Sequence, residues 1–324
     1  MMQIIMTGVG AGAATALLFG SVTSGIGFSV ILFYLAPLPI MIVALGWSHW
    51  AGFTAAVAAA AMLGGAFGIL LLGTFLASVG APAWWLGYLA LLGRPVANGG
   101  ATHMEWYPPG RLVLWAAVIA AAVIAVALAM FGGDEATIRH GLGRALDQLL
   151  HLQTGTPADA PLQLPGIDRP DRVVEMLASV LPPAAAVIAA ITLTGNLWLA
   201  GLVVRLSGRL PRPWPDLTAL SFPPLATAFY GALLAGAFLP DLAGLVAGLF
   251  AATLTVAFAM VGFAVMHTAT RHMRGRAVVL SGTYGCVALL IWPVVVMTLI
   301  GVAETLFGLR MRSSGRGPPA ARST

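Results

Sequence analysis

Lysine is absent from all 324 residues, and the sixteen basic side chains are all arginine. Charged residues make up 8% of the chain, against roughly 25% in soluble domains, too few to cover a water-facing surface. The arginines form no basic stripe on a soluble face, so nucleic acid is excluded as a partner. Cys286 is the only cysteine, which rules out an internal disulfide and a thiolate metal cluster. It lies in an apolar run, where it is expected to pack as a small hydrophobe. Also missing are a Walker-type phosphate loop and a carboxylate pair deep in an apolar segment. Without buried acids a proton-driven pump is disfavoured. His267 and His272 are five residues apart and do not share a helical face for a metal. Nothing orients Ser281-Gly282-Thr283 toward a base as a nucleophile. The chain is therefore expected to be no enzyme and to carry neither cofactor nor metal. Met1-Met2-Gln3 lacks the basic side chain of a secretory signal, so the first apolar run reads as a retained helix.

What remains is apolar sequence, 59% of the residues with a mean hydropathy of +0.94. About 20 apolar residues cross a hydrocarbon core of roughly 30 Å. Eight segments meet that test: Ile4–Val22, Phe28–Trp47, Ala51–Ser78, Leu112–Phe131, Ala184–Val204, Leu217–Phe238, Leu242–Met266 and Val278–Phe307. Helices satisfy their own backbone groups, and no strand-type alternation is present. The expected fold is all-α, a polytopic transmembrane bundle of about eight spanning helices within residues 1–309, with the lipid bilayer as its first partner. Trp84–Leu92, bracketed by Pro82 and Pro95, is too short to cross alone and reads as interfacial. In the alternative, Ala51–Leu92 is two helices and the count is nine.

Residues 132–172 form a polar insertion. Within it Ile138, Leu142, Ala145, Leu149 and Leu152 fall on one helical face, predicting an amphipathic helix on the membrane surface or capping the bundle. Thr154–Gly166 reads as loop and Asp168-Arg169-Pro170 as a helix start. Pro182-Pro183 is expected to reset the chain into the fifth span. Residues 310–324, rich in Arg, Ser, Gly and Pro, read as a disordered basic tail. In an eight-crossing arrangement the arginines divide equally between the two faces, with Arg310 opposite Arg205, Arg209 and Arg212, and orientation stays open.

Three groups of residues carry candidate functions. Gly8 with Gly12, Gly64 with Gly68, Gly231 with Ala235, and Gly244 with Gly248 are four-residue-spaced pairs. They let helix backbones approach, within the chain or against another membrane protein. Pro37 and Pro39 break the second span, as in the discontinuous helices that line transporter sites, although kinks are also ordinary packing features. Thr192, Thr194 and Asn196 are polar residues mid-span in the fifth, with Asn196 the foremost candidate for a ligand contact. Thr253 and Thr255 lie similarly in the seventh. Glu304 reads as an interfacial charge and His267 as the start of a solvated basic loop.

The C-terminal third carries Trp214-Pro215-Asp216-Leu217, Phe222-Pro223-Pro224, Gly262-Phe263-Ala264-Val265-Met266-His267, Gly301-Val302-Ala303-Glu304 and Phe307-Gly308-Leu309-Arg310. These motifs resemble the YybS-like family of bacterial polytopic membrane proteins. That family is distantly similar to the substrate-binding membrane subunits of energy-coupling-factor transporters. The resemblance brings no site residues. It implies a multi-pass protein of the bacterial inner membrane that binds a small solute and works with partners, since the chain has no ATPase motif. The alternative expectation is a scaffold or assembly factor that binds other membrane proteins. A polar internal cavity would favour the first, and exposed glycine faces the second.

Overall fold

The computed structural model describes residues 1–25, 27–98, 101–157, 169–290 and 292–310. Among the described residues the fold is all-α apart from one two-stranded hairpin. Helices α1 (Met2–Gly20), α2 (Gly27–Tyr34), α3 (Pro37–Gly46) and α4 (His49–Phe67) come first. They are followed by α5 (Ile69–Phe75) and α6 (Ala81–Ala90), joined by a π-turn at Leu76–Gly80. The antiparallel strands β1 (Gly93–Asn98) and β2 (Ala101–Trp106) lead into α7 (Pro109–Ala129). Then come α8 (Glu135–Thr154), α9 (Pro170–Leu206), α10 (Pro224–Gly236), α11 (Asp241–Ala269), α12 (Arg276–Leu290) and α13 (Pro293–Phe307).

Among the described residues, seven stretches are long and apolar enough to cross a membrane: 2–24, 27–46, 49–67, 69–90, 109–129, 170–206 and 241–269. Three expected boundaries move. The segment Ala51–Ser78 is two helices, because Gly68 at φ 101 stops α4 in a conformation that only glycine adopts freely. Trp84–Leu92 then belongs mainly to α6, which with α5 makes a helical stretch long and apolar enough to cross. The structure thus has the alternative of two helices across Ala51–Leu92 and not the interfacial turn. Leu217–Phe238 is helical only from Pro224, preceded by a 3₁₀ turn at Leu217–Ala219. Val278–Phe307 breaks between Leu290 and Pro293 into two 15-residue helices. Conversely, Pro182 and Pro183 end nothing, since both lie inside the 37-residue α9.

Lipid gives apolar helices little hydrophobic reason to associate, so close backbone contact between small residues holds the bundle. The contact of α1 with α4 shows this. A Cβ on Gly8 would lie 2.9 Å from Ala51 O, and one on Gly12 would lie 2.7 Å from Ala55 O. The contacts advance together, 8 with 51 and 12 with 55, so the two helices run parallel. The same test applied to α11 and α13 gives the same answer. Thr298 Oγ1 donates to Thr255 O at 2.9 Å, and Gly301 abuts Phe258 O.

These directions define two faces. On the hairpin face, the 46–49 turn, β1–β2, residues 207–223, residues 270–275 and the end of α13 meet. Arg209 lies 4.5 Å over the Trp47 ring, Gly110 abuts Ser221 O, and Thr268 Oγ1 donates to Thr218 O at 3.3 Å. Arg310 joins them, donating to Thr218 O and, at 2.8 Å, to Leu220 O. It therefore sits beside Arg205–Arg212 rather than opposite, and it is packed rather than part of a tail. Residues 311–324, the remainder of that expected tail, lie outside the described residues, as do Asp168 and most of the Thr154–Gly166 loop. The other face holds α8, started by Asp134, whose Oδ1 accepts from Thr137 N at 2.9 Å. Ile138 and Leu142 of the predicted amphipathic stripe pack against α7 and α11, while Leu149 and Leu152 stay exposed.

Candidate functional site

A cavity of ≈ 1080 Å³ opens between α7, α9, α11 and α12 and is roofed at the hairpin face by residues 210–220. Its walls follow from which faces carry small residues. Along α9, Val187, Ile191, Thr194, Gly195, Trp198 and Gly201 line it. A side chain at Gly195 would meet nothing within 4 Å. Ala252, Val256, Ala259 and Phe263 of α11 form the facing wall. The lined stretch of α9, Val187 to Gly201, measures roughly 21 Å at about 1.5 Å per residue. Ile191 and Trp198 are exposed as well as lining, so the cavity is a groove open to the side of the bundle.

The groove wall is apolar over most of its length, and its polar groups collect toward one end. Thr255 is spent on Ala251 O at 2.8 Å and on Tyr230 Oη at 2.9 Å. Near the hairpin face the wall includes Arg212, Trp214, His267 and Tyr284. The His267 ring Nε2 and Tyr284 Oη are 2.9 Å apart, and the Tyr284 ring stacks on Phe263 at 5.1 Å. Arg205 lies 5.1 Å over the Trp214 ring. Arg212 sits between Pro211 and Pro213, and a following proline biases a residue to extended backbone. Its Nη1 donates to Ala90 O at 2.8 Å, while Nε is shielded from solvent and has no acceptor. Burial pulls the Arg212 pKa below the usual arginine range. The nearby Asp216 carboxyl is held below its ordinary value chiefly by the Thr218 hydroxyl, then by the Thr218 amide, with Arg271 and Arg310 adding to the effect.

The sequence candidates divide around this groove. Thr194 lines it. Asn196, Pro37 and Pro39 do come together, but on each other. Pro37 and Pro39 open the α2–α3 break, where Leu38 N turns to Leu35 O at 3.0 Å. That leaves the Tyr34 carbonyl, which Asn196 Nδ2 takes at 2.9 Å while also reaching Thr192 O at 2.8 Å. Asn196 is buried, and its Oδ1 has no partner. Thr192 thus contributes its carbonyl, and Thr253 is buried with its hydroxyl on Phe250 O. Of the paired glycines, Gly8, Gly12 and Gly244 are buried, whereas Gly68 and Gly231 are exposed. Gly8 and Gly12 seat α4, Gly64 meets Leu72 of α5, and Gly68 is the turn itself. Gly244 abuts Leu239 O, Gly248 is 4.0 Å from Ala237 Cβ, and Gly231 has open space.

Glu304 is buried and pairs with Arg310 Nε at 2.8 Å, made possible by the αL turn at Gly308. Sequence reasoning passed over Arg212 and Tyr284. The one local signal was the Pro-Arg-Pro triplet, which stiffens a loop without saying where it leads.

The fold and groove define the class: a multi-pass helical membrane protein with a side-opening apolar cavity. No family model, no curated protein and no solved structure matches the chain.

Proposed function

We propose that this chain is a non-enzymatic membrane transport component that holds an apolar, lipid-soluble molecule in the groove between α7, α9, α11 and α12. The observation that carries this reading is the apolar wall running roughly 21 Å along α9, beyond one leaflet of a hydrocarbon core of about 30 Å. The polar cavity expected for a small solute is not what lines the groove, because Asn196 and the proline break are engaged with each other, and the reading moves to an apolar ligand. The resemblance to transporter subunits points the same way, with the bacterial inner membrane as the location. The scaffold reading draws less support, because Gly8 and Gly12 are covered by α4.

Native mass spectrometry of the full chain in mild detergent tests this. Wild type should retain a lipid-sized molecule, and Gly195→Trp, which fills the groove, should release it at an unchanged unfolding midpoint. Equal occupancy in both proteins, or none in either, sinks the proposal. A co-purifying membrane protein without lipid would instead favour the scaffold.

The same reading takes α10, α12 and α13 as short crossings in addition to the seven longer spans, with Met1 and Arg310 on the hairpin face. That face then carries Arg94, Arg111, Arg205, Arg209, Arg212, Arg271, Arg274, Arg276 and Arg310. Among the described residues, the α8 face carries only Arg139, Arg144, Arg169 and Arg172. An arginine excess of this kind marks the cytoplasmic side. Single cysteines at Gly208 and His140 in a Cys286→Ser background should be labelled by a membrane-impermeant maleimide from opposite sides of sealed vesicles. Labelling of both from one side would overturn the topology.

A further inference from the structure

We infer that the hairpin-face end of the groove is a headgroup site for a phosphate-bearing lipid, with Arg212 as the residue that recognises it. The inference rests on the groove reading above and adds the chemistry of the ligand's polar end.

The groove is two-ended in character. Val187, Ile191, Ala252 and Val256 form an apolar floor toward the middle of the bundle. Arg212, His267 and Tyr284 lie on the wall toward the hairpin face. A ligand that fills both ends has a long apolar tail and a compact polar head, and the fixed cation at the head end selects an anion. Arg212 suits a phosphate better than a carbonyl or hydroxyl for a geometric reason. Guanidinium presents several N–H donors in a rigid fork that matches phosphate oxygens. In this structure one donor is on Ala90 O, and the Nε–H is out of solvent with nothing to accept it. A shielded donor without an acceptor costs stability, so a turn of the guanidinium that brings Nε to a phosphate oxygen in the groove is favourable.

The surroundings agree. Arg205 lies over the Trp214 ring that borders the same end, and Arg271 and Arg310 stand close enough to Asp216 to act on its carboxyl. Asp216 offsets part of this positive field, and its Oδ1 is engaged by the Thr218 amide at 2.9 Å and hydroxyl at 2.7 Å. His267 and Tyr284 can add a donor to a second phosphate oxygen, because the hydrogen bond between them leaves one ring nitrogen of His267 uncommitted.

Two sources share this chemistry, a diacyl phospholipid and a long single-chain polyisoprenyl phosphate. The test uses the full chain in detergent micelles, titrated in native mass spectrometry with dioleoylphosphatidylglycerol, a polyisoprenyl monophosphate, and dioleoylglycerol as the phosphate-free control. Wild type should bind at least one phosphate-bearing lipid about tenfold more tightly than dioleoylglycerol, the size of a charge-assisted hydrogen bond. R212Q should lose that preference and keep dioleoylglycerol binding, while R212K should keep part of it. Preference for phosphatidylglycerol assigns a diacyl ligand, and preference for the polyisoprenyl phosphate alone assigns the single chain. Equal binding of all three lipids by wild type overturns the headgroup site, whether or not R212Q folds, and leaves the groove standing. Lipid binding that survives Gly195→Trp unchanged overturns the groove itself.

Discussion

Removing the Asn196 amide should destabilise the bundle by an amount that depends on whether Pro37 and Pro39 are present. In an unbroken helix the Tyr34 carbonyl would receive the N–H of Leu38, but at the break that N–H goes to Leu35 O and Asn196 Nδ2 serves Tyr34 instead. Asn196→Leu strands this carbonyl in an apolar surrounding. Interhelical hydrogen bonds in membrane proteins are worth about 0.6 kcal/mol on average and reach about 1.7 kcal/mol, and a stranded buried acceptor costs about 1–3 kcal/mol. Against this, the substitution also removes Oδ1, which has no partner of its own. The expected net loss is about 1 kcal/mol. Asn196→Asp should cost more, about 3 kcal/mol, because it places an acceptor and a charge where a donor is needed.

The decisive measurement is a double-mutant cycle with Pro37→Ala/Pro39→Ala. With both prolines gone the helix can close, Leu38 N–H can take Tyr34 O, and Asn196→Leu should then cost almost nothing. The coupling should be about 1 kcal/mol, above the roughly 0.5 kcal/mol within which independent sites add. Reversible unfolding in mixed micelles, followed by tryptophan fluorescence, reads all four proteins. Additive behaviour, or an Asn196→Leu protein as stable as wild type, would refute the account of Asn196 as the clamp on the break.

Two further outcomes are expected in the same unfolding assay. Gly12→Ala should cost about 1–3 kcal/mol, because its Cβ would fall 2.8 Å from Ala58 Cβ and 2.7 Å from Ala55 O. Gly10→Ala, two residues away with nothing within 4 Å, should be neutral or gain about 0.5–1 kcal/mol from helix propensity. If the two behave alike, the α1–α4 seam is not where the structure puts it. Arg310→Gln leaves the buried Glu304 carboxylate without its cation and should cost about 3 kcal/mol. Glu304→Gln should cost less, because Arg310 keeps the carbonyls of Thr218 and Leu220. The reverse order would argue that the pair does not hold α13 to residues 217–220.

Hydropathy made the membrane bundle legible and hid its joints. A long apolar window averages over a short turn, so the break between Leu290 and Pro293 disappeared inside an apolar run, and the one at Gly68 was carried only by the alternative of two helices across Ala51–Leu92. Gly64 and Gly68 read as a packing pair because spacing cannot separate a glycine needed for close approach from one needed for positive φ. Pro182-Pro183 misled in the opposite direction, since a helix packed along α7 and α11 tolerates prolines that would end an isolated one. The Gly99-Gly100 pair between Gly93 and Trp106 is a recognisable hairpin signal, yet the expected fold was all-α with no strands. Asn196 stood out as a mid-span amide, but its acceptor lies 162 residues away and spacing along one helix could not point to it. Arg212 had no distinguishing local pattern beyond its prolines, since its position depends on a loop folding back to Ala90.

Helix α12 gives the groove one further property. It has no buried residue, and its named side-chain ties to α11 are the Tyr284 ring on Phe263 and its hydroxyl on His267. A wall held by so little has no stiffness of its own, so the bilayer sets its position. Thick, tightly ordered lipid should press α12 inward and narrow the groove, and thin or fluid lipid should let it relax outward. The cavity volume is then a response to membrane composition rather than a constant of the fold, and ligand occupancy should follow acyl-chain order even at fixed ligand concentration.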